Sequence, residues 1–270
     1  MDPVSLLRDD VELPPGRLIT ADEGDGGTHP LWLSDGPAPF GAWGRIRAAH
    51  ARTGLWPLLL EPLHEDDEDF RPWASGELYP EDMSRPADHD PEAALVRWWG
   101  TATSVDEDDD PLSPERRLAV TAPYGAVWPG LAPGREAAED PDRLAAEHAE
   151  VLLSFGTEAR LGLVEAASGA EALAAVGWSG PANHENDTAR IAAVVADWER
   201  RFGARVFAVG FATLRLSVAA PPATLEEALP VAAEHFAFCP DNVWQGPRPQ
   251  NLAAYAERLV GADVWTFWWD

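Results

Sequence analysis

Thr188-Ala-Arg-Ile-Ala-Ala-Val-Val-Ala-Asp-Trp-Glu-Arg-Arg-Phe-Gly-Ala-Arg-Val-Phe-Ala-Val-Gly-Phe-Ala-Thr-Leu-Arg-Leu-Ser-Val-Ala219 changes its hydrophobic period midway. In its first half Ile191, Val194, Val195, Trp198 and Phe202 fall at i, i+3, i+4, i+7 and i+11, one stripe on a helix of 3.6 residues per turn. Asp187 or Thr188 offers an N-cap oxygen to a free backbone N–H, and Gly203 closes the helix. The second half breaks at Gly210-Phe-Ala212. Beyond the break Leu214, Leu216 and Val218 alternate with Thr213, Arg215 and Ser217, the period of a strand with one buried face. A β-hairpin, 204–209 with 213–219, therefore follows the helix.

Working outward, Arg160-Leu-Gly-Leu-Val-Glu165 is a strand, followed by a short helical turn and the loop 177–186. Downstream, Pro221-Pro222 ends the hairpin. Thr224 then opens a helix whose stripe is Leu225, Ala228, Leu229, Ala232, Ala233 and Phe236, and a helix near 251–260 leads into a last strand, 264–269. The order β, α, β, β, α, α, β predicts an α+β fold: a C-terminal ferredoxin-like (split βαβ), antiparallel-rich sheet with helices on one face. The N-terminal residues read as strands at 17–20 and 30–34, a helix over 40–52 ending at Gly54, and a strand at 55–60. They predict a smaller α/β lobe, placed to cover the other face of the sheet. Leu55-Trp-Pro-Leu-Leu-Leu60 is apolar throughout, as burial on both faces requires, while Pro57 predicts an edge or a strand start. Helix-Arg-Thr-Gly54-strand resembles helix-Arg-Phe-Gly203-strand, a hint of duplication.

The chain has 270 residues, 46% of them hydrophobic and 24% charged, enough to bury a sizeable core. Its net charge is −26, and between Glu61 and Asp110 there are 17 acidic residues against Arg71, Arg85 and Arg97. Three segments follow: an N-terminal α/β lobe (1–62), an acidic, proline-rich connector (63–117) and a C-terminal α+β domain (118–270). The connector holds one short helix near 91–99, anchored by Ala94, Leu95, Trp98 and Trp99 on one side. Nucleic acid is excluded as a partner, because a phosphate-binding surface must be basic. An acidic surface suits a basic protein partner. No apolar run approaches the ~20 residues of a membrane span and no signal segment is visible, so a cytoplasmic address without membrane contact is expected. All 20 basic residues are arginine, which looks like a GC-rich coding bias, and the single cysteine, Cys239, leaves no disulfide framework.

Three groups of residues could carry function. Glu234-His-Phe-Ala-Phe-Cys-Pro-Asp241 is the densest: if helix persists to Cys239, His235 and Cys239 share a face, as a thiolate–imidazole pair would need, with Asp241 orienting the ring. The alternative is a core cysteine, a backbone-bonded histidine and a Pro-Asp helix stop. Asn183-His-Glu-Asn-Asp187 precedes a helix N-terminus, where Asn183, His184 and Asp187 either bind a small polar ligand or cap the helix. Trp265, Phe267 and Trp269 alternate with Thr266 and Trp268, which makes the last strand either central and covered on both faces or an aromatic platform for a partner. His64 with Glu65–Asp69, and Asp88-His-Asp90, match neither a calcium loop nor a histidine-pair zinc signature. No metal and no cofactor are expected.

Several motifs are familiar in combination. Trp178-x-Gly180-Pro-x-Asn183, Trp198-Glu-x-Arg-Phe-Gly-Ala204, Ala232-Ala-Glu-His-Phe-Ala-Phe-Cys-Pro-Asp241, Gln245-Gly246 and Phe267-Trp-Trp-Asp270 resemble the bacterial family called domain of unknown function 4253. The resemblance covers about residues 160–270. Pro14-Pro-Gly-Arg17, with Leu31-Trp-Leu-Ser-Asp-Gly36, looks like the N-terminal extension of actinobacterial members. It implies a bacterial, cytoplasmic protein and carries no activity or catalytic residue with it. The residues themselves support a non-enzymatic protein-binding or regulatory module, toxin neutralisation included. The alternative is a small-ligand binder or enzyme with a pocket lined by His184, His235, Cys239 and Asp241. A homo-oligomer cemented by the aromatics is a third reading.

Overall fold

The computed structural model describes residues 11–22, 28–64, 67–104 and 113–270. The strands are β1 (Gly16–Ile19), β2 (Leu31–Pro37), β3 (Leu55–Leu60), β4 (Arg160–Glu165), β5 (Ala204–Val209), β6 (Thr213–Val218) and β7 (Val264–Trp268). The helices are α1 (Ala42–Thr53), α2 (Pro91–Thr103), α3 (Pro114–Val120), α4 (Pro141–Ser154), α5 (Gly169–Ala175), α6 (Thr188–Phe202), α7 (Leu225–Phe238), α8 (Asp241–Trp244) and α9 (Leu252–Leu259). Helix α6 forms as its stripe requires, capped by Asp187, which accepts the Ala189 N–H at 3.1 Å, and closed by Gly203 at φ 61°.

The strands form one sheet in the order β1-β2-β4-β3-β5-β6-β7, parallel only between β3 and β5. The fold is thus α+β with a mostly antiparallel sheet. Its order departs from the ferredoxin-like arrangement, which would set the last strand beside β4; β7 pairs instead with β6 at an edge, and β3 lies between β4 and β5. Burial follows the exchange: β3 is buried at all six positions, whereas β7 buries only Trp265 and Phe267. Strands from residues 1–62 and from 118–270 interleave, with β4 bonded to both β2 and β3.

Helices cover both faces rather than one. On one face α1 and α4 place Trp43, Ile46, Ala145 and Ala149 against Leu55, Leu59, Leu161 and Phe207. On the other, α2, α5, α6, α7 and α9 cover Trp56, Leu58, Leu60, Leu214 and Leu216, with Trp198 and Phe236 among the buried rings. The α1–Gly54–β3 unit and the α6–Gly203–β5 unit end their helices alike, with glycine at φ 69° and 61°. Their strands are parallel neighbours and their helices lie on opposite faces, as a rotation about an axis along the strands would place them.

Pro57 sits third in a central strand, not at an edge. Pairing of β3 with β5 begins only at Leu59–Ala208, and the Val206 carbonyl accepts the Trp56 indole N–H at 3.2 Å. The ladder on that side therefore starts beyond the residue that lacks an N–H.

Residues 63–117 were expected to form a connector; Glu65, Asp66 and the run 106–110 lie outside the described residues. Its described part is packed into the core. Phe70, Trp73 and Leu78 are buried, and the Trp73 indole donates to the Glu61 carbonyl at 2.8 Å. Helix α2 runs on to Thr103 and buries Ala94, Leu95, Trp98 and Trp99, the side predicted for it. Helices α3 and α4 have no counterpart in the sequence reading. Asp140 caps α4, with Pro141 in its first turn, but its buried residues are Ala145, Ala149 and Leu153, a stripe too small to stand out. No helix among the described residues is long and apolar enough to cross a membrane.

Candidate functional site

The constellation at Glu234–Asp241 is dispersed by the end of α7. Cys239 has left helical geometry, with φ −148° and ψ 84°, so it no longer presents the face that carries His235. Its thiol donates to the Trp268 carbonyl at 3.0 Å, and burial pushes it up to about 12. His235 is fully buried, 4.5 to 5.8 Å from the centroids of Trp265, Phe267, Trp198 and Tyr255. Burial, aided by the Arg201 charge, lowers its pKa to about 3. The Tyr255 oxygen takes the Asn242 amide N–H at 3.1 Å and lies 3.0 Å from His235 Nδ1. His235 Nε2 has no hydrogen-bond partner among the described residues. Both groups are neutral at pH 7, so the chain holds no thiolate–imidazolium pair.

Asp241 opens α8 and accepts from Gln245 and from the Asp270 N–H, each at 3.2 Å, rather than from His235. Glu234, fully buried, accepts from the Trp198 indole and the Ala132 N–H, both at 2.6 Å, and from both terminal nitrogens of Arg201, at 2.6 and 3.0 Å. That is a structural ion pair tying the 132 loop to α6 and α7. Asn183 donates to the Asp270 main-chain oxygen at 2.6 Å. His184 turns inward, 5.2 Å from the Trp98 ring, and burial lowers its pKa. Trp265, Phe267 and Trp269 are buried core residues; Trp268, on the opposite face of the edge strand, is 40% exposed. His184, His235, Cys239 and Asp241 are each engaged in packing or in a local hydrogen bond.

Asp187, by contrast, meets residues that sequence reading had left apart. Besides capping α6 it accepts the Ser84 N–H at 3.2 Å and the Ser84 hydroxyl at 2.6 Å. Ser84 Oγ lies 2.5 Å from His89 Nε2, and that nitrogen is 3.6 Å from Asp187 Oδ2. Burial opposes ionisation of Asp187, but the Ser84 and backbone N–H bonds outweigh it and hold the carboxyl below its usual range. Serine and aspartate approach the same ring nitrogen, so this is not the relay of a serine hydrolase, where the acid holds the other nitrogen. It is a compact set of donors and acceptors, of which Ser84 and His89 line a cleft.

The cleft, about 600 Å³, lies between residues 80–91 and the outer sides of α5 and α6. The 80–91 segment is fixed at both ends and in its middle. Tyr79 N–H donates to the Gly177 carbonyl at 2.8 Å, Ser84 is held by Asp187, and Asp90 caps α2 through the Glu92 N–H at 2.9 Å. Gly177 is required for that approach: at φ 71°, a Cβ there would lie 2.2 Å from Pro80 N. Met83, Pro86 and Pro91 form one wall and Ala174, Ala193 and Ala196 the other. Ser84, His89 and Glu171 line it with Arg85, paired with Asp88 at 2.9 Å, and Arg200, paired with Asp197. The only prior signals were Asp88-His-Asp90 and Asp187; nothing in sequence joined them to each other or to Ser84.

Glu185, which the sequence places in the Asn183–Asp187 group without a role of its own, accepts from the Trp98 indole at 3.2 Å and from Arg190 at 2.8 Å, and pairs with Arg97. Burial would raise its pKa, yet the Asp187 N–H and the two arginines hold it below the usual range. It fastens α2 to the start of α6, the corner from which the cleft opens.

Residues 160–270 match the family described as domain of unknown function (DUF4253), and no curated protein or solved structure matches the chain. The matched span supplies α5 and α6, one wall of the cleft. The 80–91 wall lies outside it.

Proposed function

We propose that this chain, whose residues 160–270 match the DUF4253 family, binds a small, largely apolar molecule in the 80–91/α5/α6 cleft and recognises a polar head through Ser84 and His89, with Asp187 holding Ser84 in place. The observation that carries the reading is the cleft itself, about 600 Å³ with apolar walls and a convergent polar set at its rim, the usual make-up of a small-molecule site. Ser84 donates to Asp187 and His89 presents a second polar atom, so a ligand hydroxyl or carbonyl would exchange with bonds already formed. A cytoplasmic address belongs to this reading. The test is a thermal-shift screen of small apolar alcohols, acids and amides against the parent chain and Ala196→Phe, which fills the cleft from the outer side of α6. Stabilisation of the parent that is absent in Ala196→Phe supports the site; equal stabilisation of both removes it.

A protein-binding reading is favoured by a different observation. Phe40 and Phe155 are 62% and 78% exposed and Val151 is 52% exposed. They gather at one corner, where the Gly41 N–H donates to Glu150 at 2.6 Å. Isolated exposed apolar groups are ordinary, but three together suit a partner contact. A basic protein would be steered to so acidic a chain. Phe40→Asp with Phe155→Asp should abolish any stable complex while leaving the cleft ligand unaffected.

A further inference from the structure

Arginine is the only cation of this chain apart from histidine, and its side chains are mostly engaged by carboxylates. Arg47, Arg71, Arg97, Arg190, Arg205 and Arg215 each pair with an aspartate or glutamate. Arg116 and Arg248 have no acidic partner among the described residues, and both border one groove of about 700 Å³ between α3 and the loop before α9. The other residues along it are Val120, Trp244, Pro249, Gln250 and Asn251. Among the described residues no carboxylate lines the groove. Trp244 is half-buried, with the Arg117 guanidinium 5.1 Å from its ring centroid. A concave surface so composed offers two forked guanidinium donors and an aromatic wall.

Two guanidiniums match a phosphate dianion in charge and in geometry. Trp244, Val120 and Pro249 supply the apolar wall that would cover a flat group joined to it. We propose that this groove binds a small molecule that joins a phosphate to an aromatic ring, the nucleoside monophosphate class. Arg116 and Arg248 hold the phosphate and Trp244 packs on the ring. The site is separate from the 80–91 cleft and independent of the function assigned to it.

Isothermal titration of the full chain with adenosine 5′-monophosphate, with adenosine and with inorganic phosphate tests both halves of the ligand. The monophosphate should bind one-to-one and at least about tenfold more tightly than either fragment, since the two sets of contacts act on one molecule. Arg116→Gln with Arg248→Gln, both exposed, should weaken it at least about tenfold, the scale of a lost charge-assisted bond, with an unchanged urea unfolding curve. Ala196→Phe should leave it unaltered. Failure of the monophosphate to bind at millimolar concentration, unaltered affinity in the double glutamine variant, or loss of binding in Ala196→Phe would each overturn the proposal.

Discussion

Glu234→Leu removes the one acceptor that holds Arg201, the Trp198 indole and the Ala132 N–H together. Glu234 is fully buried and the Arg201 side chain is 10% exposed, so the guanidinium cannot turn to water when its partner is lost. It keeps Asp197 and the Ala132 carbonyl, the latter at 2.7 Å, which softens the loss. Breaking a buried pair by removing one partner costs about 3–5 kcal/mol, and the stranded indole and backbone N–H groups belong to that cost rather than adding to it. For a domain of this size each kcal/mol is about 2 °C in Tm, so a fall of roughly 6–10 °C is expected. Arg143→Ala is the control, since Arg143 pairs with Glu139 and Glu147 on the exposed side of α4 and should leave the midpoint unmoved. Urea unfolding followed by tryptophan fluorescence reads both. If Glu234→Leu shifts the midpoint no more than Arg143→Ala, with equal slopes, the network does not hold the 132 loop to the core.

Three further outcomes are expected. Cys239, pushed up to about 12 by burial, should resist a thiol-reactive disulfide reagent at pH 8 and react fully once urea unfolds the chain; rapid labelling of the folded protein would contradict its placement. His235 titrates near 3 when folded and near 6.5 when unfolded, so below pH 6.5 the unfolded chain takes a proton that the folded one refuses. Stability should fall as pH drops from 6.5 toward 3, by up to about 1.4 kcal/mol per unit, and His235→Phe should flatten that slope; parallel curves would show that His235 is not the group responsible. Gly177→Ala places a methyl 2.2 Å from Pro80 N at φ 71°, which should cost about 1–3 kcal/mol and push the 80–91 wall off α5. Thermal shift with a cleft ligand should show both the lower Tm and a lost response; a retained response would mean the wall does not depend on that contact.

Periodicity identified elements well where a stripe was large. Ile191, Val194, Val195, Trp198 and Phe202 all lie in the core, and the hairpin follows as its alternation requires. Partners were harder to read, because a strand's pattern says which faces are buried and not which strand lies beside it. Val264–Trp268 carries aromatics on both sides, which suggested a central strand, yet Trp268 faces water at an edge. Leu55–Leu60 was rightly read as covered on both faces, while Pro57 pointed to an edge because Trp56's indole bond to Val206 has no sequence signature. His235 and Cys239 looked paired because a four-residue spacing assumes helix to the end. One non-helical φ at Cys239 undid that. The motifs Trp178-x-Gly180 and Asn183 have plain structural reasons: a Cβ at Gly180 would lie 2.3 Å from the Trp178 ring, whose indole bonds the Gly210 and Phe211 carbonyls at 3.0 Å. The cleft was invisible because its walls come from segments about a hundred residues apart, joined by Ser84 and Asp187.

The most direct measurement is an amide NMR titration of the isotopically labelled chain with the best stabiliser from the thermal-shift screen. Binding in the cleft predicts perturbations centred on Met83, Ser84, His89, Ala174 and Ala196, with Cys239 and His235 unmoved. Perturbations centred on His184, His235 and Asp241, with the 80–91 segment silent, would contradict it.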